Sequence, residues 1–237
     1  MGHSWKGGNS FTIEIWGNYA CFTRPEFKVE KVSYDVITPS AARGVFDAIF
    51  WHPGMYWQVH RIYVLNPVKT MNMKRNELSD TKIRPFLFTQ RDFTKQEFIV
   101  QRNSHILKDV HYIVEATIEI DEDKLEPRSN LTKFVQEAGT RFTRGQCFHA
   151  PWLGCREYEA NVKLWDASKG NPADLAIPET KDLGIMLYDK DYDGTGFKNP
   201  ARVSQEEPII ESLYFHAVMN NGIIDVPNRN EVLARCH

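Results

Sequence analysis

The stretch HILKDVHYIVEATIEI, residues 105–120, predicts one long β-strand, because apolar and β-branched residues recur through it without a proline or glycine. Two stretches upstream alternate apolar and polar residues, as a half-buried strand does: FTIEIWG at 11–17 and MYWQVHRIYVL at 55–65. Between them, PSAARGVFDAIFW predicts a helix that begins at Pro39 and ends at Pro53. The order is therefore strand, helix, strand, followed by the long strand.

The segments that follow residue 120 complete a second unit of the same kind. Residues 130–143 predict a helix, and REYEANVKLW, residues 156–165, predicts another strand. Strand, helix, strand taken twice is the split βαβ order of the ferredoxin-like fold, which RNA-recognition modules also use. We therefore expect an α+β fold in which residues 1–165 form a ferredoxin-like domain.

The remaining residues, 166–237, predict a small C-terminal antiparallel β region. A turn-rich stretch, KGNP at 169–172, separates them from the first domain. The region contains DLGIMLYDKDY and PIIESLYFHAVMNNGIIDVP, and Asn221-Gly222 predicts a tight hairpin turn between two strands.

The composition is that of an ordinary globular protein. Of the 237 residues, 25% are charged and 42% are apolar. No apolar run approaches the ~18 residues that a membrane span requires, and the start, MGHSWKGGNS, lacks the apolar stretch of a signal peptide. We therefore expect a cytoplasmic protein with no membrane partner. The four cysteines are too few and too scattered for a disulfide framework, so reduced thiols are expected.

A basic segment interrupts the first domain at about residues 68–103. The net charge of the chain is −2, yet residues 61–108 hold ten lysines and arginines against four acidic residues. Lys74 and Arg75 belong to this segment, and four phenylalanines are interleaved with it: Phe86, Phe88, Phe93 and Phe98. Phenylalanines interleaved with lysines and arginines favour an inserted β-hairpin that binds nucleic acid. The alternative is a solvated polar hairpin without a ligand.

The loop RGQCFHAPWLGCRE, residues 144–157, indicates the same class of ligand. Its glycines let the backbone approach a ligand closely, and the flat rings of Phe148 and Trp152 suit stacking on bases. The loop also holds three side chains that can contact phosphate or take part in proton transfer, namely Arg144, His149 and Arg156. The alternative is a well-packed connecting loop with a few exposed polar residues.

Several long stretches together resemble one known family. They are GNYACFTRPEFKVEKVSYDVITPSAARGVFDAIFWHP at 17–53, KRNEL at 74–78, RGQCFHAPWLGCREY at 144–158, DLGIMLYDKDY at 182–192 and the final FHAVMNNGIIDVP. Over nearly the whole chain, these resemble the type I-C CRISPR-associated proteins of the fifth Cas family, subtype d. The resemblance implies an endoribonuclease that cuts the precursor of CRISPR RNA (pre-crRNA) at the base of its repeat hairpin, without metal or cofactor, and stays bound. It also implies two protein partners, the backbone and large subunits of the interference complex.

The resemblance further indicates where catalytic residues should lie. Metal-free cleavage uses the 2'-hydroxyl of the RNA as nucleophile, and it needs a base, a cation that stabilises charge on the phosphate, and an acid for the leaving oxygen. The family has an aromatic residue or a histidine near the end of the first helix and a Lys-His pair that opens the second. This chain has Phe50 at the first place and Lys133-Phe134 at the second. Because phenylalanine cannot exchange a proton, only Lys133 carries over as a catalytic residue.

Two histidines can supply the missing proton transfer: His149 in the glycine-rich loop and His52 just after Phe50. For contact with RNA the sequence offers Tyr34, Arg43, Lys74, Arg75, Arg144, Phe148, Trp152 and Arg156. The alternative function is a non-catalytic subunit that binds the 5' handle of the crRNA, which Phe50 and Phe134 favour. A nuclease that acts on duplex DNA is a weaker alternative, because the sequence indicates no metal site.

Overall fold

One long strand organises the fold. A computed structural model describes residues 9–27, 29–78, 99–121, 124–192 and 210–236, and within them nine strands form one large, mostly antiparallel sheet. The strands are β1 (Ser10–Ala20), β2 (Lys31–Val32), β3 (Met55–Val64), β4 (Lys69–Leu78), β5 (Ile99–Ile120), β6 (Asn161–Leu164), β7 (Lys181–Tyr192), β8 (Ile210–Asn220) and β9 (Ile223–Asp225). The helices of the same residues are α1 (Pro39–Ile49), α2 (Leu131–Arg144) and α3 (Arg229–Cys236). At this coarse level the structure confirms the predicted mixture of helices with antiparallel strands.

The two halves of β5 pair with different strands. The C-terminal half lies between β1 and β3 in the body of the sheet. The N-terminal half pairs with β4, from Lys69 opposite Lys108 to Leu78 opposite Ile99. β4 and β5 are thus the arms of a hairpin at the place where the sequence predicts an insert. Residues 79–98, with the four interleaved phenylalanines, lie outside the described residues.

Helices α1 and α2 pack on the same side of the sheet. Thr38 caps α1 and Asn130 caps α2, and each side chain accepts a hydrogen bond from an N–H of the first turn. The ring of Trp57 in β3 lies 4.8 Å from that of Phe46 in α1 and 6.2 Å from that of Phe142 in α2. These rings form the centre of the core. In the described part of the chain, none of the helices has the length and apolar character needed to cross a membrane.

The C-terminal strands extend the same sheet. β8 and β9 are joined by a turn at Asn221 and Gly222, whose φ angles are 48° and 74°, so the hairpin predicted there is confirmed. β9 then pairs with β3, which gives the strand order β6-β1-β5-β3-β9-β8-β7. The C-terminal residues also form α3, a helix that is not predicted from the sequence. The division into two domains near residue 165 stays a prediction.

Residues 165–180 cross the sheet on the face opposite to α1 and α2. Side chains alternate along a strand, so Glu14 of β1 lies on the opposite face from the core residue Ile13. Lys169 forms an ion pair with Glu14 at 3.6 Å, and the Ile177 N–H donates to the Val64 carbonyl oxygen at 2.9 Å. RNA-recognition modules stack bases on the open face of their sheet. Here a segment of the chain itself crosses that face.

One strand is shorter than predicted. β6 begins at Asn161, whereas the sequence predicts a strand from residue 156. The preceding residues instead turn back on themselves: the Leu153 N–H donates to the Tyr158 carbonyl oxygen at 2.7 Å, and Trp152 forms an isolated bridge with Glu159. This turn shapes the loop that is described next.

Candidate functional site

Several of the predicted site residues lie near the carboxyl end of α1. The last carbonyl groups of a helix have no partner within it. The Ala48 oxygen accepts hydrogen bonds from the backbone N–H groups of Phe148 (2.8 Å) and His149 (3.3 Å). The next carbonyl oxygen accepts one from the Arg141 side chain of α2 at 3.1 Å. The end of α1 therefore holds both α2 and the loop at 144–157.

His52 lies just beyond this helix end, with its ring against that of Phe134 of α2. The two ring centroids are 4.8 Å apart, and the ring planes are inclined by 38°. The Nδ1 atom of His52 is 3.1 Å from the Pro53 carbonyl oxygen. When Nδ1 carries the ring proton and donates to that oxygen, Nε2 is left as a proton acceptor. A carboxylate oxygen of Glu126 lies 3.7 Å from Nε2.

Phe50 and Phe134 are buried and in contact. Their ring centroids lie 6.0 Å apart in an edge-to-face arrangement. These are the two positions at which the resemblance leads us to expect groups that transfer protons, and neither ring can do so. The imidazole of His52, which comes from another position in the chain, lies directly against Phe134. Since Lys133 is the exposed neighbour of Phe134 in the first turn of α2, the structure brings an imidazole and an ammonium group to the same end of that helix.

The loop at 144–157 presents a stack of flat groups. The ring of His149 lies on that of Trp152, with centroids 4.6 Å apart and planes inclined by only 17°. The guanidinium of Arg156 lies 5.4 Å from the centroid of the same indole. Phe148 stands beside them with 82% of its surface exposed. Exposed rings and cations in one place suit the stacking of bases and contact with phosphate.

Two glycines set the path of this loop. Gly145, with φ 63°, ends α2 directly after the exposed Arg144. Gly154, with φ 83°, turns the chain back against the end of β1, where a Cβ atom would overlap the Cys21 carbonyl oxygen. Only glycine at position 154 can adopt this φ and leave room for the Cys21 carbonyl. The loop can therefore lie flat on β1.

The base of the β4–β5 hairpin packs on the same loop. Glu157 forms ion pairs with Arg75 of β4 and, at 3.9 Å, with Lys31 of β2. Arg75 also lies over the ring of Tyr158, 5.0 Å from its centroid. Arg75 is therefore engaged within the protein, whereas its neighbour Lys74 is exposed. A cleft of about 370 Å³ lies where β2 pairs with the β5 arm of the hairpin. It is lined by Glu30, Lys31, Val32, Asn72, Lys74, Asn103 and His105.

Tyr34 and Arg43, two further residues predicted to contact RNA, are buried. Tyr34 is 1% exposed, its burial raises the pKa of its hydroxyl, and the guanidinium of Arg24 lies 4.3 Å from the centre of its ring. Arg43 of α1 donates to both carboxylate oxygens of Asp189 at 2.9 Å, and to Asp47 at 2.6 Å. What the structure shows for Arg43 is a link between α1 and β7. Contact of either residue with RNA stays a prediction.

The sequence does not indicate Arg141 or Glu126 as site residues. Arg141 contacts the end of α1 and lies 5.6 Å from the centre of the Phe50 ring. Its only signal in the sequence is its place in the last turn of an amphipathic helix, where cations are favourable. Glu126 lies in a turn without a recognisable pattern. Among the residues that the structure describes, no three histidine, cysteine, aspartate or glutamate side chains are grouped to hold a metal ion.

A known protein family matches most of the chain. A family model described as CRISPR-associated protein (Cas_Cas5), of the Cas5d type, matches residues 11–227. The chain belongs to the Cas5d family of CRISPR-associated proteins. This membership confirms the resemblance drawn from the five quoted stretches.

Two relatives and one solved structure are similar to this Cas5d chain over nearly its full length. The chain is 39% identical over 233 residues to the CRISPR pre-crRNA endoribonuclease Cas5d of Mannheimia succiniciproducens, covering 92% of this chain and 95% of that one. It is 37% identical over 225 residues to the CRISPR pre-crRNA endoribonuclease Cas5d of Thermus thermophilus, covering 91% and 90%. A crystal structure of a CRISPR-associated protein matches at a TM-score of 0.62 with 22% identity, over 98% of this chain and 97% of that one. That last similarity concerns the fold alone.

Proposed function

We propose that this chain is a CRISPR-associated endoribonuclease that binds the repeat hairpin of pre-crRNA, cuts it without a metal ion, and remains as a subunit of the type I-C interference complex. The observation that carries the proposal is the imidazole of His52, which lies against the ring of Phe134, the neighbour of Lys133. Membership of the Cas5d family supports it, since the two relatives are named as pre-crRNA endoribonucleases.

The proposed reaction assigns one task to each of three side chains. His52 Nε2 takes the proton of the 2'-hydroxyl, and the 2'-oxygen attacks the adjacent phosphorus. The ammonium group of Lys133 stabilises the extra negative charge on the five-coordinate phosphate. His149, exposed at the same end of α1, protonates the 5'-oxygen as its bond to phosphorus breaks. The products are a 2',3'-cyclic phosphate and a 5'-hydroxyl.

The proposed RNA contacts come from the loop at 144–157, the β4–β5 hairpin and the end of α2. The stack of His149, Trp152 and Arg156 offers a platform for unpaired bases. Lys74 faces the cleft at the base of the hairpin, and Arg144 is exposed at the end of α2. Because such cations displace counterions from phosphate, binding should weaken steeply as salt is raised.

The proposed body of the protein is ferredoxin-like over residues 1–165. Its elements in chain order are β1, α1, β3, β5, α2 and β6, with β2 and β4 as additions. Their order in the sheet is β6-β1-β5-β3, with β1 and β5 in the middle. This arrangement supports the split βαβ topology. The proposed protein partners are the backbone and large subunits of the interference complex.

A second candidate function is a non-catalytic subunit that holds the 5' handle of the crRNA. The observation that favours it is the burial of Phe50 and Phe134 at the two positions where the family transfers protons. In that case the loop at 144–157, called the stacked loop below, would bind RNA. His52 would only cover the Phe134 ring.

Cleavage of the native repeat RNA in EDTA separates the two candidates. We expect the wild type to cut the RNA once, and His52→Ala and Lys133→Ala to slow cleavage about 10²–10⁴-fold, the usual contribution of proton transfer or charge stabilisation. The matched control is His216→Ala, which removes an exposed histidine of β8 and should leave the rate unchanged. RNA that is bound but left intact by the wild type would support the non-catalytic subunit instead.

A further inference from the structure

Cys21 and Cys155 meet where the end of β1 touches the loop at 144–157. Cys21, the residue after β1, is buried, whereas Cys155 is partly exposed. The Cys21 N–H donates to the Leu153 carbonyl oxygen at 3.0 Å, and the Cys155 thiol donates to the Cys21 carbonyl oxygen at 3.6 Å. The absence of a side chain at Gly154 permits this approach. The two segments are thus in direct backbone contact, and the Cys155 sulfur lies 3.6 Å from the carbonyl oxygen of Cys21.

The surroundings of the two sulfur atoms differ. A hydrogen bond from the Cys21 thiol lowers the pKa of Cys155, and the cations of Lys31 and Arg75 act in the same direction, against burial and Glu157. The same hydrogen bond, together with burial, raises the pKa of Cys21. A thiolate is the nucleophile in thiol chemistry, and a cysteine that is partly exposed beside cations is the reactive kind. Cys155 therefore has the character of an attacking thiol, with Cys21 as a second thiol next to it.

We propose that Cys155 and Cys21 form a reversible disulfide site that takes a low-molecular-weight disulfide, such as oxidised glutathione, as its co-reactant. The Cys155 thiolate attacks one glutathione sulfur, a mixed disulfide forms, and the first glutathione leaves as its thiolate. Cys21 then attacks the Cys155 sulfur, its proton passes to the leaving sulfur, and the second glutathione leaves as a thiol. Two protein thiols are oxidised, and one small disulfide is reduced to two thiols. The site does not depend on RNA cleavage.

The disulfide would fix the stacked loop to the body of the sheet. Cys155 lies between Trp152, which carries the stack, and Glu157, which holds Arg75 of the hairpin. A bond from Cys155 to Cys21 would tie these contacts to β1. It would also close a long loop of the chain, and such cross-links stabilise the folded state. We expect the oxidised protein to melt roughly 5–10 °C above the reduced protein.

Peptide mapping of the full chain under non-reducing conditions tests the proposal. After incubation with oxidised glutathione, we expect a disulfide-linked pair of peptides that contains Cys21 and Cys155 and disappears when dithiothreitol is added. In Cys21→Ser, glutathione should remain attached to Cys155, and the rise in melting temperature should be lost. Cys147→Ser is the matched control, because Cys147 is exposed in the same loop and should not be needed for the linked pair.

Two results would overturn the site. One is wild-type protein without linked peptides after oxidation. The other is glutathione on Cys147 as fast as on Cys155, which would show only general thiol exposure. Since the wild-type map alone can give either result, the test does not depend on the folding of the Cys21→Ser variant.

Discussion

Replacing Asp189 with asparagine should destabilise the protein far more than the same change at Asp225, although both carboxylates pair with an arginine. Asp189 is 3% exposed and accepts two hydrogen bonds from Arg43 at 2.9 Å. The side chain of Asp225 is 73% exposed and accepts one from Arg61 at 2.6 Å. The two variants therefore make the same chemical change in a buried and in an exposed ion pair.

The difference in burial sets the expected magnitudes. Removing one member of a buried ion pair costs roughly 3–5 kcal/mol, because the remaining charge stays buried without its partner. Arg43 keeps its ion pair with Asp47, so we expect the lower end, about 3 kcal/mol. An exposed pair contributes about 0–1 kcal/mol. For a chain of this length, the two melting temperatures should therefore differ by roughly 4–12 °C.

The effect at Asp189 should also depend on pH. Burial alone would raise the pKa of Asp189, but the charge and the hydrogen bonds of Arg43 hold that pKa below its ordinary value. A lowered pKa in the folded state stabilises the protein above the unfolded-state pKa of about 3.9, and this stabilisation is lost as the pH falls through the folded-state pKa. The difference in unfolding free energy between wild type and Asp189→Asn should thus be largest at neutral pH and shrink below about pH 4.

Thermal or urea unfolding of the wild type and both variants, at neutral pH and at several acidic values, measures these quantities. Similar losses of stability in Asp189→Asn and Asp225→Asn at neutral pH would refute the expected effect of burial. A gap that stays constant down to strongly acidic pH would refute the assignment of a charged Asp189.

Two further variants test the stacked loop. Phe148→Ala should weaken binding of repeat RNA by about 1–3 kcal/mol, the contribution of one base stacked on an aromatic ring, without lowering the melting temperature; Phe27→Ala, at another exposed ring, is the control in fluorescence anisotropy. Gly154→Ala should lower the melting temperature more than Gly145→Ala. Both glycines have positive φ, but only at Gly154 would the added Cβ collide with a neighbour, the Cys21 carbonyl; equal losses in a thermal melt would contradict this packing.

The local elements of the fold could be predicted because their signals are local. Alternation predicted β1 and β3, and Asn221-Gly222 predicted the turn between β8 and β9. Two features could not be found in this way. The pairing of β9 with β3 joins segments far apart in the chain, and the turn formed by Leu153 and Tyr158 shortens β6 although the residues before it resemble a strand.

The candidate site shows the same limit. The loop at 144–157 was recognisable because glycines, rings and cations are concentrated in one stretch. The contact of His52 with Phe134 could not be predicted, since it depends on how α1 ends against α2. Arg43 was predicted to contact RNA because its ion-pair partner is not apparent in the sequence. That partner, Asp189, lies 146 positions away.

The most direct test of the central claim is cleavage, in EDTA, of two repeat RNAs that differ only by a 2'-deoxy substitution at the scissile nucleotide. The proposed mechanism uses that hydroxyl as the nucleophile, with His52 and Lys133 acting on the same phosphate. We predict that the unmodified RNA gives one cut with a 2',3'-cyclic phosphate end, and that the deoxy RNA binds equally well but stays intact. Cleavage of the deoxy RNA, or no cleavage of either RNA, would contradict the account.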